Sequence, residues 1–230
     1  MPKKAWYAAV LLIVVVLGLF GCGGGGGGGG TLTPTGTPVN LAAFKAVYIG
    51  ATTGTQYSFP ALVGSDSLGR PWSGSLAVIA DGPTTFEGQS VTKRRIQATA
   101  RLGSGTPVTE TTTAYFLAST GLPYKSVTST GITYIPTTAA NIPSTANVGD
   151  FGELGTYSGS DGTTESATWS LAPGINGASK LSFSSAIKSG STIVSAEVDT
   201  FTLDPNGGVL GLEVSVTISG VTVNMAGSKN

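Results

Sequence analysis

The stretch LEVSVTISGVTVNM, residues 212–225, alternates apolar and polar side chains on both sides of a Ser-Gly pair. Its apolar positions are Leu212, Val214, Val216 and Ile218 before the pair, and Val221, Val223 and Met225 after it. Because successive side chains of a strand point to opposite faces, this period of two predicts two strands that each bury one face. Ser219-Gly220 is a two-residue hairpin loop, in which Gly220 supplies the positive φ of a tight turn. The segment therefore predicts an antiparallel hairpin that pairs Ile218 with Val221.

The same alternation predicts strands along most of the chain between residues 41 and 230, which is long enough to form one domain with its own core. No window after Phe20 shows sustained helical apolar spacing without Gly, Pro or a β-branched run. Residues 136–150, with Pro136 and Pro143, predict a loop or extended crossover, with a short helical turn over residues 138–141 as the alternative. The other predicted strands are 43–50, 55–63, 72–80, 90–102, 109–118, 132–136, 165–171, 178–187 and 192–203.

Two parts of this domain, about 43–136 and 150–226, contain similar segments in the same order. The matching segments are 64–66 with 159–161, Trp72 with Trp169, 114–121 with 200–207, and 130–133 with 219–222. A single unit would leave bare strand edges and an uncovered face, so two units are expected to join. We therefore predict an all-β fold: an antiparallel meander of two similar repeats that forms a β-sandwich or a curved half-barrel. Trp72 and Trp169 are expected to be core anchors, with ligand stacking as the alternative.

The N-terminus has the organisation of a secretory signal. Lys3 and Lys4 precede an apolar run over residues 8–20, which is followed by Gly21-Cys22. A basic start, a short apolar segment and a small residue before the cleavage point are typical of a removed signal peptide. The apolar run is about 13 residues long, against the ~20 that span a bilayer as a helix.

The end of this signal, Leu19-Phe20-Gly21-Cys22, resembles the lipobox of bacterial lipoproteins. The resemblance implies that residues 1–21 are removed and that Cys22 carries a diacylglycerol and, in most members, an acylated amino group. Cys22 is the one cysteine of the chain, which excludes an intramolecular disulfide and leaves an exported thiol that lipidation would explain. Gly23 stands where enteric lipoproteins of the inner membrane carry Asp, so the resemblance favours the outer membrane.

Residues 22–40 are expected to connect this anchor to the single β-domain at 41–230. Eight glycines, 23–30, are followed by Thr, Pro and Gly residues, a composition that cannot bury enough apolar surface to order itself. A flexible tether of this length reaches about 20–25 Å.

Composition argues against several classes of protein. Lys3 and Lys4 leave with the signal, so of 12 basic residues the mature chain keeps 10 against 12 acidic residues, a net charge of about −2. This balance does not indicate a nucleic-acid partner. The chain has no histidine, and lipidation would occupy its one thiol, which removes the conventional triads, dyads and zinc sites. We therefore predict a protein that is not an enzyme and has no cofactor and no metal.

Three other routes to chemistry are weighed. Glu197 and Asp199 share one strand face and could act as a carboxylate pair, but we expect the acidic residues to lie on solvated faces. Lys180 or Lys188 on a neighbouring strand could equally pair with these two carboxylates. Ser-x-x-Lys occurs at 185–188 and 90–93, in strands rather than the helix that the motif needs. Residues 204–207 and 161–165 offer oxygens for calcium, and are expected to be turns instead.

The predicted strand 90–102 carries a basic cluster, with Lys93, Arg95 and Arg101 on one side and Arg94 on the other. The three residues on one side could meet lipid phosphates or an acidic envelope polymer, whereas the alternatives are a solvated sheet face or a protected strand edge.

These observations predict a non-catalytic, lipid-anchored protein of the bacterial cell envelope, whose β-domain binds or scaffolds an envelope lipid, polymer or protein. The first alternative is a half-barrel that carries a lipid or another hydrophobe in envelope transport. A remote alternative is a carboxylate-based glycan hydrolase.

Overall fold

The computed structural model describes residues 38–54 and 56–230. It contains one short helix, α1 (Ala42–Tyr48), between the strands β1 (Val39–Asn40) and β2 (Gln56–Asp66). The remaining strands are β3 (Pro71–Phe86), β4 (Gln89–Leu102), β5 (Val108–Leu117), β6 (Pro123–Thr128), β7 (Thr133–Ala139), β8 (Thr145–Ala146), β9 (Phe151–Gly159), β10 (Thr163–Pro173), β11 (Ser179–Ser189), β12 (Thr192–Leu203), β13 (Val209–Ile218) and β14 (Val221–Ser228).

Twelve of these strands form one antiparallel sheet in the order β10-β11-β12-β13-β14-β2-β3-β4-β5-β6-β7-β9, and this sheet closes into a barrel. The all-β antiparallel prediction is therefore confirmed, whereas the sheet closes further than the predicted sandwich or open half-barrel. Closure leaves the twelve strands without a bare edge. An open meander of this length would instead expose the unpaired backbone N–H and C=O groups of its two edge strands. The two short strands β1 and β8 pair with each other outside the barrel sheet.

The hairpin predicted from residues 212–225 is confirmed. Ile218 pairs with Val221, and the loop residues Ser219 and Gly220 have φ of 49° and 78°. Two consecutive positive φ angles belong to the turn type whose twist matches that of the flanking strands.

The strand predicted at residues 43–50 is wrong, because this segment forms α1. Phe44, Val47 and Tyr48 recur at helical spacing and are the buried residues of the helix, a pattern that also fits the helical period. The helical alternative at residues 138–141 is likewise wrong, since β7 continues to Ala139. Strands β6 and β9 were not among the predicted strands.

The barrel has two unlike ends. At the turn end, the connections are the short segments 67–70, 103–107, 129–132, 160–162, 190–191 and 219–220. At the opposite end, which we call the helix end, α1 lies across the barrel with its buried side in the lumen. There the Phe44 ring lies 5.8 Å from that of Phe183 and 5.0 Å from that of Phe201, and the Tyr48 ring lies 5.1 Å from that of Phe183. The helix thus fills this end with aromatic side chains.

Both tryptophans of the described region belong to the core, as predicted. Trp72 is 4% exposed near the turn end, where its indole N–H donates to Asp66, and Trp169 is 7% exposed beside Gly152. No helix in the described ranges is long and apolar enough to cross a membrane.

Candidate functional site in the barrel interior

The carboxylate pair named from the sequence, Glu197 and Asp199, does share one face of β12, and that face is the lumen. The two side chains are 2% and 0% exposed. The expectation that the acidic residues lie on solvated faces is therefore wrong for this pair. Neither of the two lysines considered as partners contacts this pair, because Lys180 instead forms a 2.6 Å ion pair with Glu213, and Lys188 is exposed near the end of β11.

Glu165 is a third interior carboxyl, which was considered from the sequence only within the segment 161–165, as a calcium ligand or part of a turn. It lies on β10 and is 0% exposed. A signal was present, because Glu165, Ala167, Trp169 and Leu171 alternate along one face, and Trp169 was already expected in the core. The parity of the strand therefore placed Glu165 inside with the tryptophan.

The strand register brings the three carboxyl groups to neighbouring levels of the lumen. Glu197 is the cross-strand partner of Ser185, and Ser185 also faces Ala167, two residues from Glu165. One level nearer the helix end, Asp199 is the partner of Phe183. Burial raises the pKa of Glu165, Glu197 and Asp199 well above the ordinary values, and the charges of Asp199 and Glu165 raise that of Glu197 further.

The polar atoms of these carboxyls are unsatisfied within the protein. None of the six carboxyl oxygens of Glu165, Glu197 and Asp199 has a hydrogen-bond partner among the described residues. Buried polar groups normally have such partners, so three neighbouring exceptions are unusual.

Arg94 supplies a positive charge to the same interior. It is 0% exposed on the inward face of β4, with its guanidinium carbon 4.5 Å above the Tyr48 ring centroid and 5.1 Å above that of Phe116. Burial lowers the pKa of Arg94, whereas the Tyr48 hydroxyl, which accepts a hydrogen bond from it, raises it. Arg94 was expected opposite its basic neighbours, and the structure confirms that placement.

Two buried tyrosine hydroxyls lie within the electrostatic influence of both Arg94 and Glu165. Burial raises the pKa of Tyr48 and of Tyr157, and the charges of Glu165 and Arg94 act on both hydroxyls. Tyr157 also donates to the carbonyl of Leu154 at 3.2 Å. We call the set Tyr48, Arg94, Tyr157, Glu165, Glu197 and Asp199 the interior polar cluster.

A cavity of about 20 Å³ adjoins this cluster at the helix end. It is lined by Phe44, Tyr48, Tyr57, Arg94, Phe183 and Phe201, among others. This volume suffices for about one water molecule. A shallower groove of about 290 Å³ crosses the outer surfaces of β2, β12, β13 and β14, between Val63 and Val198.

The predicted basic site, Lys93, Arg95 and Arg101, lies on the outer face of β4. Lys93 and Arg95 converge on one carboxylate, with 3.3 Å from Lys93 Nζ and 2.7 Å from Arg95 Nε to Asp81 Oδ2. The hydrogen bond from Arg95 and the charges of both cations lower the pKa of Asp81. Arg101 lies nearer the turn end and donates to Ser73 at 3.3 Å. The structure therefore separates Arg101 from a pair that Asp81 already partly neutralises.

The other segments considered for chemistry have structural roles. Asp204 accepts from the backbone N–H groups of Asn206 and Gly208 at 2.7 and 2.9 Å, which closes its own turn. Asp161 does the same through Thr163. Ser185 and Lys188 lie on a strand, as the sequence indicated. In the part of the chain that the structure describes, no group of three or more acidic, His or Cys side chains is arranged to hold a metal ion.

The predicted signal peptide, Cys22 and most of the tether lie outside the described residues. The last two residues of the predicted tether, Val39–Asn40, form β1. Comparison of the chain with protein-family models, with curated proteins and with solved structures finds no match.

Proposed function

We propose that this chain is a lipid-anchored protein of the bacterial cell envelope, more specifically of the outer membrane, whose β-barrel binds or scaffolds a partner and does not catalyse a reaction. The observation that carries the proposal is the enclosure of Glu165, Glu197 and Asp199, the acidic residues best placed for joint chemistry: they are at most 2% exposed, and the interior cavity at the helix end measures only about 20 Å³. The chain also lacks histidine, and its one cysteine is the proposed lipid attachment point.

The same enclosure weighs against the two alternatives. A glycan hydrolase needs two carboxyl groups on opposite sides of a sugar that enters an open cleft, whereas Glu197 and Asp199 project side by side from one strand into a filled lumen. A carrier of acyl chains needs a cavity of several hundred Å³. The interior cavity, at about 20 Å³, is far smaller.

We propose further that the barrel consists of two related halves, β2–β7 and β9–β14. The similar sequence segments fall at equivalent places in the two halves. Segments 64–66 and 159–161 each precede the second strand of their half, and segments 130–133 and 219–222 each form the turn between the fifth and sixth strands. The two halves meet at the strand pairs β14–β2 and β7–β9. The short strands β1 and β8, which precede the first strand of each half, pair with each other. A structural superposition of the halves that failed to align their strands in this order would contradict the duplication.

The anchor is tested with an inhibitor of lipoprotein signal peptidase. We expect the uncut, diacylglycerol-bearing precursor to accumulate, and we expect a Cys22→Ser variant to carry no lipid. A Gly23→Ser variant is the matched control, because it changes the neighbouring position and retains the thiol. Normal processing under the inhibitor would overturn the lipid anchor.

The absence of catalysis is tested by an unbiased hydrolase screen of the purified protein, with Glu197→Gln beside it. We expect no turnover from either protein. Turnover by the wild type that disappears in Glu197→Gln would establish the hydrolase alternative instead.

We propose that Arg101, with Lys93 and Arg95, contributes contacts to an anionic partner, such as lipid phosphates or an acidic envelope polymer. The support is their common outer face. Sedimentation with vesicles that contain anionic lipid tests this: Arg101→Gln should weaken binding, whereas Lys188→Gln, which removes another exposed cation at the turn end, should not. Equal binding by both variants would remove the basic strand from the proposal.

A further inference from the structure

The two most exposed large apolar side chains of the described residues, Phe151 and Ile175, both lie at the helix end of the barrel. Phe151 is 81% exposed at the start of β9, and Ile175 is 80% exposed in the connection between β10 and β11. The carbonyl of Asp150 accepts from the N–H of Leu171 at 2.8 Å, so Phe151 lies beside the end of β10, close to that connection. Two further exposed residues at the end of β10 extend this apolar surface, Ala172 and Pro173. We call Phe151, Ala172, Pro173 and Ile175 the apolar rim.

The predicted tether joins the barrel next to the apolar rim. Its last two residues form β1, which pairs with β8, the strand that precedes Phe151 in the chain. A Cβ built on Gly207 would overlap the carbonyl oxygen of Asn40, so the connection between β12 and β13 touches β1. That connection also approaches the β10–β11 connection, since Pro205 Cγ lies 4.0 Å from the Cβ position of Gly177. The point of chain entry and the apolar rim are therefore parts of one continuous edge.

We propose that the apolar rim inserts into the surface of the membrane that holds Cys22, so that the helix end faces the lipid and the turn end faces away from it. The inference rests on the proposed lipid anchor and specifies how the barrel sits on that anchor. Side chains such as Phe, Trp and Leu are those with which peripheral proteins enter the boundary between headgroups and acyl chains, to a depth of about 5–10 Å.

The length of the tether favours this orientation. Residues 22–37 have an expected r.m.s. reach of about 20–25 Å. Strand β10 crosses the barrel from the turn end to the helix end with 11 residues. A rise of about 3.3 Å per residue and a tilt of about 40° separate the two ends by about 25–30 Å. Because the tether reaches less far than the barrel is long, the helix end is on average the end nearer to the anchor.

The charged groups of this edge favour an apolar contact over an electrostatic one. Asp150 and Asp204 both accept hydrogen bonds from backbone N–H groups of their own turns. Lys180, at the start of β11, forms its ion pair with Glu213 at 2.6 Å. Insertion through the apolar rim should therefore persist at high salt, which screens the attraction between exposed charges and lipid phosphates.

The turn end provides a comparison within the same molecule. Its large exposed apolar side chains, Leu68 and Ile193, are 65% and 57% exposed and lie on either side of the hairpin β13–β14, away from the chain entry. The proposed orientation also places Arg101, near the turn end, about a barrel length from the membrane that holds Cys22. An anionic partner of Arg101 would then come from outside that membrane.

The test places a fluorophore at each end of the mature, lipidated protein in phosphatidylcholine vesicles. Since Cys22 is the one cysteine of the chain and would carry the lipid, a single introduced cysteine takes the label. Ala172→Cys reports the helix end, and Ser104→Cys, exposed in the turn 103–107, reports the turn end. We expect lipid with a quencher in its upper acyl chain to quench the label at Ala172 at least about threefold more than the label at Ser104, in low and in high salt.

Matched variants separate the apolar rim from the tether. Phe151→Ser with Ile175→Ser should remove most of the quenching at Ala172, whereas Leu68→Ser with Ile193→Ser, which removes exposed apolar side chains from the turn end, should leave it unchanged. Equal quenching at the two ends of the wild type, or undiminished quenching at Ala172 in the first variant, would overturn the lipid contact.

Two further outcomes assign a failure to its cause. A dimer in detergent that dissociates in the Phe151→Ser, Ile175→Ser variant, with quenching unchanged, would give the apolar rim to a second copy of the chain and overturn the lipid contact. Protein that does not float with the vesicles at all would refute the lipid anchor itself. Protein that floats but shows equal quenching at both ends would refute the orientation and leave the anchor standing.

Discussion

The interior carboxyls predict that this protein becomes less stable as the pH rises from 5 to 7, and that neutral isosteres abolish much of that loss. The perturbation is Glu197→Gln with Asp199→Asn, which keeps the shapes of both side chains and removes their ability to ionise. An acid whose folded pKa is raised contributes stability that is fully present below its unfolded pKa, near 4, and is lost as the pH rises toward the folded pKa.

The magnitude follows from proton linkage. One carboxyl that is ionised in the unfolded chain and protonated in the folded protein lowers the free energy of unfolding by about 1.4 kcal/mol per pH unit. Over two pH units that amounts to about 2.7 kcal/mol for one such group, and about 5 kcal/mol if both Glu197 and Asp199 stay protonated. Burial of both groups, with their raised pKa values, supports this assignment.

Other acids do not mask the effect in this interval. Hydrogen bonds and cations lower the pKa of Asp66 and of Asp81, so the stability that these groups contribute is present above pH 4 and is lost below it. Glu165, whose pKa burial also raises, remains in the double variant. The variant should therefore keep a residual slope of about 1.4 kcal/mol per pH unit at most.

The assay is urea unfolding of the purified protein at pH 5, 6 and 7, followed by tryptophan fluorescence. Trp72 and Trp169 are buried in the barrel, so their emission reports its unfolding. Glu213→Gln is the control, because that carboxylate is exposed and paired with Lys180. Equal pH slopes for the wild type and the double variant would refute the reasoning.

Three further predictions concern stability. Asp66→Asn should destabilise the protein by about 2–4 kcal/mol in thermal unfolding, because the Asp66 carboxylate accepts hydrogen bonds from backbone and side-chain donors that include the indole of Trp72. A smaller effect would show that solvent replaces these hydrogen bonds. Phe44→Ala should lower the free energy of unfolding by about 3–5 kcal/mol, because it removes the central ring of the helix end. The control Lys45→Ala, on the same helix, should lower it by under about 1 kcal/mol. Similar losses of stability in the two variants would show that α1 contributes little to the core. Gly64→Ala should destabilise the contact between β2 and β14, because a Cβ there would overlap a backbone carbonyl of β14. The control Gly69→Ala should cost only about 1 kcal/mol, for its positive φ of 75°. Equal unfolding midpoints of the two variants would contradict the close approach of β14 to Gly64.

Much of the interior polar cluster could have been found from strand parity alone. Glu197 and Asp199 were placed on one face correctly, because side chains two apart on a strand point the same way. Parity does not say which face is the lumen, and a polar residue on its own predicts the solvated one. The neighbouring Phe201 and Leu203, which share that face, carried the missing information.

The amino-acid sequence by itself determined that the described chain forms antiparallel strands with tight turns, because alternation and turn chemistry act over a few residues. Hairpin 212–225 shows this, since pairing, loop and buried face all follow from its own residues. Only the tertiary structure decided that twelve strands close into a barrel, that Phe44 and Tyr48 enter it from a helix, and that the charges of Arg94 and Glu165 act on the same tyrosine hydroxyls. Those outcomes depend on accumulated twist and on contacts between residues far apart in the chain, which no local period encodes.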